Sequence, residues 1–173
     1  MVERRAVRDV LIRRARTGDV RGIRRLVDTY TGGRRMLTKA TVTLYEDVQE
    51  FWVAETPDGR LAGCGALHVM WEDLAEIRTV AVDPELRGRK IGHRIVEALL
   101  DTARELGVQR VFCLTFETRF FGSFGFTEID GAPVPPAVFE QLLVSYDEGV
   151  AEFLDLERVK PNTLGNTRML LHL

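Results

Sequence analysis

Arg87, Arg89, Lys90 and His93 crowd into seven positions, between an Asp-Pro turn and an amphipathic run that opens at Ile91. Residue types and order together describe an anion site. The first backbone N–H groups of a helix have no intrahelical acceptor, and the helix dipole adds partial positive charge where they point. Gly88 and Gly92 allow the main chain to approach a ligand closely, while Arg87, Arg89, Lys90 and His93 supply cationic and hydrogen-bonding side chains. Helix starts ordinarily favour acidic residues, so a basic one needs a better explanation than a surface turn. Phosphate is the expected guest.

A second group able to do chemistry lies just upstream, in the apolar run EIRTVAV from Glu76 to Val82. Strand alternation puts Glu76, Arg78 and Val80 on one face. A carboxylate inside such a strand is uncommon without a purpose; it either titrates for a reaction or pairs with a cation such as Arg78. His68 is a lesser alternative for proton transfer. Cys64 and Cys113 sit in apolar strand-like runs with neither CxxC nor metal-ligand spacing, and read as small buried hydrophobes. No metal site is expected.

The elements around these residues follow from periodicity and punctuation. Val10 to Ala15 reads as a strand, and Thr17 or Asp19 caps a helix with Val20, Ile23, Val27 and Tyr30 on one face, closed by Gly32 and Gly33. Thr41 to Phe51 holds a shorter helix leading into a strand at Phe51 to Ala54. The cluster Pro57, Asp58, Gly59 then turns the chain into the strand Leu61 to Val69. After the strand ending at Val82, Ile91, Ile95, Leu99 and Ala103 share a helix face that stops at Gly107. Arg110 to Phe116 is a strand, Phe120 to Gly125 a short helix, Val138 to Tyr146 a Pro-capped helical segment, Lys160 to Asn166 a polar loop, and Arg168 to Leu173 a final strand. Meandering strands combined with one strand, loop, helix, strand crossover predict an α/β sheet of mixed direction, in a single domain spanning 1–173.

Composition narrows the classes. With 24 Lys and Arg against 26 Asp and Glu, the net charge of -2 gives no reason to expect nucleic acid or an anionic membrane as partner. No apolar run approaches the ~18 residues of a spanning helix, and the Arg-rich start lacks the apolar region of a secretory signal. A cytoplasmic location is expected. The oligomeric state is left open, with a homodimer among the assemblies allowed.

The stretch Arg87-Gly88-Arg89-Lys90-Ile91-Gly92 resembles the acetyl-CoA signature of the GNAT acyltransferase superfamily: Arg or Gln, two residues, Gly, one residue, then Gly or Ala. Lys90 stands where that signature has Gly. VAVDPELRGRKIG preserves the family's strand, Pro turn and helix start, and GSFGF at 122–126 resembles its second helix and Gly-Phe ending. More narrowly, FWVAETPDGRLAGCGALHVMWEDLAEIRTVAV at 51–82, LTFETRFFGSFGF at 114–126 and the NTRML ending look like the short, single-domain N-acetylglutamate synthases of arginine biosynthesis. MLTKATVTLYEDV at 36–48 fits a segment of that family in which Lys39 stands for a common Arg, keeping charge but losing the bidentate fork.

The resemblance implies the GNAT fold, a mixed, mostly antiparallel sheet with splayed central strands flanked by helices. It implies acetyl-CoA as cosubstrate, with pyrophosphate at Arg87, Gly88, Arg89, Lys90, Ile91, Gly92 and His93 and the pantetheine arm paired with backbone at Val80, Ala81 and Val82. The acceptor is the α-amine of glutamate, or of glutamine, with Glu76 as base and Lys39, Arg78 and Arg168 receiving carboxylates out of a set that also includes Arg119 and Lys160. Many GNAT relatives carry a Tyr where this chain has Phe121, which cannot donate a proton; with a thiol pKa near ~8.5 the leaving group can depart to water. Direct arginine feedback through an additional kinase-like domain is not implied. Acetylation of another amine (protein N-terminus, polyamine, drug) and a non-catalytic acyl-CoA-binding module are the alternatives.

Overall fold

The computed structural model describes residues 10–31 and 40–173. Seven strands form a sheet: β1 (Leu11–Arg14), β2 (Phe51–Glu55), β3 (Leu61–Trp71), β4 (Leu74–Val82), β5 (Arg110–Thr115), β6 (Thr127–Glu128) and β7 (Thr167–His172). Their hydrogen-bonded order is β1-β2-β3-β4-β5-β7-β6. β1 with β2, β2 with β3, β5 with β7 and β6 with β7 are antiparallel, and β4 with β5 is parallel. The helices are α1 (Val20–Thr31), α2 (Thr41–Glu46), α3 (Ile91–Glu105), α4 (Thr118–Gly122), α5 (Pro136–Leu142), α6 (Glu148–Phe153) and α7 (Lys160–Thr163). The mixed sheet expected from the sequence is present.

Two compact units divide the chain, with β3 and β4 contributing to both. The first, residues 1–67 and 77–102, has a core of Val20, Ile23, Leu26, Val27, Leu44, Phe51 and Val53 beneath α1 and α2. A 3-10 turn at Thr17–Asp19 opens α1, and Asp19 fixes this corner: its carboxylate accepts both terminal nitrogens of Arg13 at 2.7 and 2.9 Å and the Arg16 N–H at 2.7 Å. Gly63 and Gly65 alternate on β3 because α3 lies directly on their backbone. A Cβ at either would come within 2.8 Å of Ile95. That close contact seats the helix whose N-terminus carries the basic loop.

The second unit, residues 68–76 and 103–173, buries Met70, Leu74, Phe112, Leu142, Val150, Phe153 and Leu170. Here the chain differs from the sequence expectation in its small elements. Lys160 to Asn166, expected as a polar loop, includes the single-turn α7, with Pro161 in its first turn and Thr163 Oγ1 donating to the Lys160 carbonyl at 3.1 Å. α6 and β6 are additional elements, and the helix expected over Thr41 to Phe51 breaks into α2 and a 3-10 turn at Val48–Glu50. Pieces of two to six residues are too short to show a full apolar period, so local capping and packing decide them.

Candidate active site

In the first unit, β4 ends at Val82 and Asp83 turns the chain. Asp83 caps a 3-10 turn, Pro84–Leu86, by accepting the Glu85 N–H on Oδ1 at 3.0 Å. The loop continues through Gly88 at φ 78° and Lys90 at φ 61°, both left-handed, and α3 begins at once. Arg94 N donates to the Lys90 carbonyl at 3.0 Å as the first helical bond. The N–H groups of Ile91, Gly92 and His93 therefore lie in the helix's first turn, ahead of any intrahelical acceptor. Lys90 takes up a left-handed backbone conformation of the kind that glycine, the residue of the resembling signature, adopts freely. Nothing lies within 4 Å of where a Gly88 Cβ would sit, leaving the loop open for a group to approach.

The cations around the loop are differently engaged. Arg87 lies over the Tyr30 ring, 5.4 Å from its centroid, and its Nη2 donates to the Tyr30 hydroxyl at 3.1 Å. Tyr30 in turn donates its hydroxyl proton to the Val82 carbonyl. His93 Nε2 is 3.2 Å from Glu97 Oε1 one turn along α3. Arg89 is half-buried and Lys90 exposed.

Between Arg78 and Val80, Thr79 has φ 57°, a genuine outlier for a β-branched residue in a strand. The period-two alternation read from the sequence is interrupted there. Past it, the Val80 side chain lies beside Gly65 near Ile95 and Leu99, on the side where α3 packs. The Cys64 thiol donates to the Thr79 carbonyl at 3.5 Å and accepts from the Ala81 N–H, so a side chain supplies what the ladder loses at the irregularity. Burial pushes this thiol up to about 12, which keeps it a proton donor and unreactive.

Glu76 belongs to the second unit. It is 4% exposed and stands opposite Phe112 in the β4–β5 ladder, whose pairs are Leu74↔Arg110, Ala75↔Val111 and Glu76↔Phe112. Its charge is felt at Cys113, whose thiol is raised chiefly by burial, and at Arg168. Arg168 projects from β7 over the Phe112 ring at 5.1 Å. Its fork donates to the carbonyls of Glu152 at 2.7 Å, Gly131 at 2.9 Å and Phe153, and burial draws its pKa below the usual guanidinium range. Its Nε is buried with no hydrogen-bond partner among the described residues. His68 Nε2 lies 3.8 Å from Asp147, whose other oxygen caps α6 through the Val150 N–H at 3.0 Å.

The sequence-predicted residues thus fall into two sets. Val80, Ala81, Val82, Arg87, Gly88, Arg89, Lys90, Ile91, Gly92 and His93 gather around one strand end and helix start in the first unit, with half-buried Arg78 on the same strand. Glu76 and Arg168 share the second unit, and Lys39 lies outside the described residues. Sequence reading missed Tyr30, Asp83 and the irregularity at Thr79. An Asp-Pro pair signals a capped turn and could have pointed to Asp83; nothing local distinguishes Thr79.

The sequence model of the Acetyltransferase (GNAT) family matches residues 22–126, more than half of the chain. The chain belongs to the GNAT family. This GNAT protein is 64% identical over 163 residues to the amino-acid acetyltransferase of Mycobacterium tuberculosis, covering 93% of each chain. It superposes on a crystal structure of a Mycobacterium tuberculosis protein in complex with CoA and a second ligand, with a TM-score of 0.91 and 64% identity, over 94% of this chain and 99% of that one. The N-acetylglutamate synthase of Neisseria gonorrhoeae, complexed with coenzyme A and N-acetyl-glutamate, matches with a TM-score of 0.75 and 25% identity, over 95% of this chain but 35% of the longer synthase.

Proposed function

We propose that this GNAT protein transfers the acetyl group of acetyl-CoA to the α-amine of L-glutamate, as one GNAT domain comprising both units, in a cytoplasmic setting that suits two buried, unbridged cysteines. The observation that carries the reading is the loop at Gly88–His93, whose two left-handed residues turn the backbone into a basic helix start with no acidic residue in its first turn. That arrangement fits a pyrophosphate: backbone donors at Ile91 to His93, open space over Gly88, and cations at Arg87, Arg89 and Lys90. Similarity to the Mycobacterium tuberculosis amino-acid acetyltransferase and to a synthase bound to N-acetyl-glutamate supports the acceptor.

Acetyl-CoA supplies the activated thioester. Within this reading Val80 to Val82 offer backbone hydrogen bonds to the pantetheine arm, and the positive helix start holds the phosphates. Glu76, buried on the same strand, takes the amine proton directly or through a water. Arg78 and Lys39 receive carboxylates, and Arg168 offers one its buried Nε, three N–H groups of its fork being held by backbone carbonyls. The sulfur leaves to water, since Phe121 has no proton to give.

Thiol release from acetyl-CoA, measured with each of the twenty free amino acids and with polyamines, tests the assignment. Release with glutamate above the others is expected. Release with polyamines alone, or with none of these amines, sinks the reading. Glu76→Gln should depress turnover most at pH values where the amine is protonated, the defect narrowing as pH rises; a profile identical to wild type removes Glu76 from the chemistry.

A further inference from the structure

Asp83 carries no expected role from sequence, yet it is the most connected residue at the root of the acetyl-CoA loop. It is 3% exposed. Its N–H donates to the Ala62 carbonyl at 2.8 Å, its carbonyl accepts from Leu86 N at 2.9 Å, and Oδ1 accepts from Glu85 N at 3.0 Å. Oδ2 receives Arg60 from the end of the β2–β3 hairpin, and Arg25 Nη1 from α1 stands 3.5 Å away. Arg25 is itself fixed by donating to the Leu61 carbonyl at 2.9 Å. In the loop beyond, Pro84, Glu85, Arg87, Gly88 and Lys90 are exposed, and Arg87 is held from the far side by the Tyr30 ring and hydroxyl. An exposed loop of this kind takes its direction from its two ends, and one end is α3.

We infer that Asp83 is a positioning residue for acetyl-CoA: one oxygen sets the first turn of the phosphate loop, and the other, clamped by Arg60 and Arg25, fixes that turn to the β2–β3 hairpin and α1. The inference rests on the proposed acetyl-transfer reading and adds to it a residue that does not touch the ligand. The two arginines are about half-exposed, so removing Asp83 leaves them hydrated instead of stranding buried charge. The fold should therefore survive.

Three variants separate the parts: Asp83→Ala, which loses cap and clamp; Asp83→Asn, which keeps an amide oxygen for the Glu85 N–H; and the double variant Arg25→Ala/Arg60→Ala, which frees the clamp at exposed positions. Loss of an N-cap of ordinary strength should raise the Michaelis constant for acetyl-CoA about five- to tenfold in Asp83→Ala. Asp83→Asn should stay within about threefold because a neutral cap persists, and the double variant should raise the constant about two- to threefold, the small loss expected of half-exposed ion pairs. The Michaelis constant for glutamate, and turnover at saturating acetyl-CoA, should stay at wild-type values in all three. An unchanged acetyl-CoA constant in a folded Asp83→Ala overturns the inference, as does an equal rise in both constants with a lowered melting temperature. If Asp83→Ala does not fold, a wild-type acetyl-CoA constant in the double variant is decisive against the clamp. Wild-type protein that releases no thiol in the same assay fails the acetyl-transfer reading instead.

Discussion

Lys90 shows how a single residue can depart from a signature while its backbone does not. A side chain in the left-handed region is disfavoured by about 1 kcal/mol or more relative to Gly, and Lys90 is held there at φ 61°. Lys90→Gly should relax that strain, raising the melting temperature slightly while removing one cation from the loop proposed to hold the pyrophosphate. Lys90→Val, β-branched and far worse in this region, should weaken acetyl-CoA binding by tenfold or more, on the order of the 1.4 kcal/mol that such strain supplies. Calorimetric titration with CoA distinguishes the two; equal affinities for both variants would show that the left-handed turn is irrelevant to binding. Most of the loop was legible in sequence because its chemistry resides in residue types: glycines, cations and a helix start. Thr79 was not, because its conformation comes from pairing across the sheet and from the Cys64 thiol.

Two elements are fastened by charged side chains in ways that make different predictions. Arg168 joins the carbonyls at the end of α6 to β7, and the carbonyl of Gly131 to both. Sequence alone offered Arg168 as a cation for substrate; the structure adds a fastening role that an isolated Arg in a terminal strand cannot announce. Arg168→Ala should destabilise the fold by about 3 kcal/mol, the scale for losing charge-assisted bonds and leaving their acceptors unmet. Denaturant unfolding measures it; wild-type stability would return Arg168 to the substrate side alone. Asp19 acts at the β1–α1 corner, where the Arg13 guanidinium, and then the Arg16 N–H, hold its carboxyl below the usual carboxylate range. A depressed folded pKa stabilises fully above the unfolded value near 3.8 and fades as pH falls through the folded one. Asp19→Asn should therefore lose stability at pH 6, the difference from wild type shrinking as the pH falls below the unfolded value of 3.8 and through the lower folded one. A constant difference across that window would deny the linkage.

At the scale of the whole molecule, the two cysteines lie in different units and behave alike. Cys64 and Cys113 are both buried, and burial raises both thiols above their ordinary value of 9.0. The unfolded chain ionises them first, so their contribution to stability is complete below pH 9 and is lost progressively above it. The native protein should accordingly react with a disulfide reagent only as fast as it opens, both thiols together if the units unfold as one and separately if they do not. Rapid labelling of either thiol in the folded protein would contradict its burial. The apolar runs around both cysteines foretold their burial, but could not foretell that the Cys64 thiol donates to the Thr79 carbonyl at the irregularity.

The final strand has a further consequence for how the protein is made and destroyed. β7 lies between β5 and β6, paired with β5 from Arg110↔His172 to Thr115↔Thr167. On a ribosome, β5 has its hydrogen-bonding edge open until the chain has been synthesised through His172, and an unpaired edge invites pairing with a neighbouring nascent chain. A chain lacking these six residues would carry the Gly88–His93 loop intact and still expose that edge. Such chains should partition to inclusion bodies or quality-control proteases.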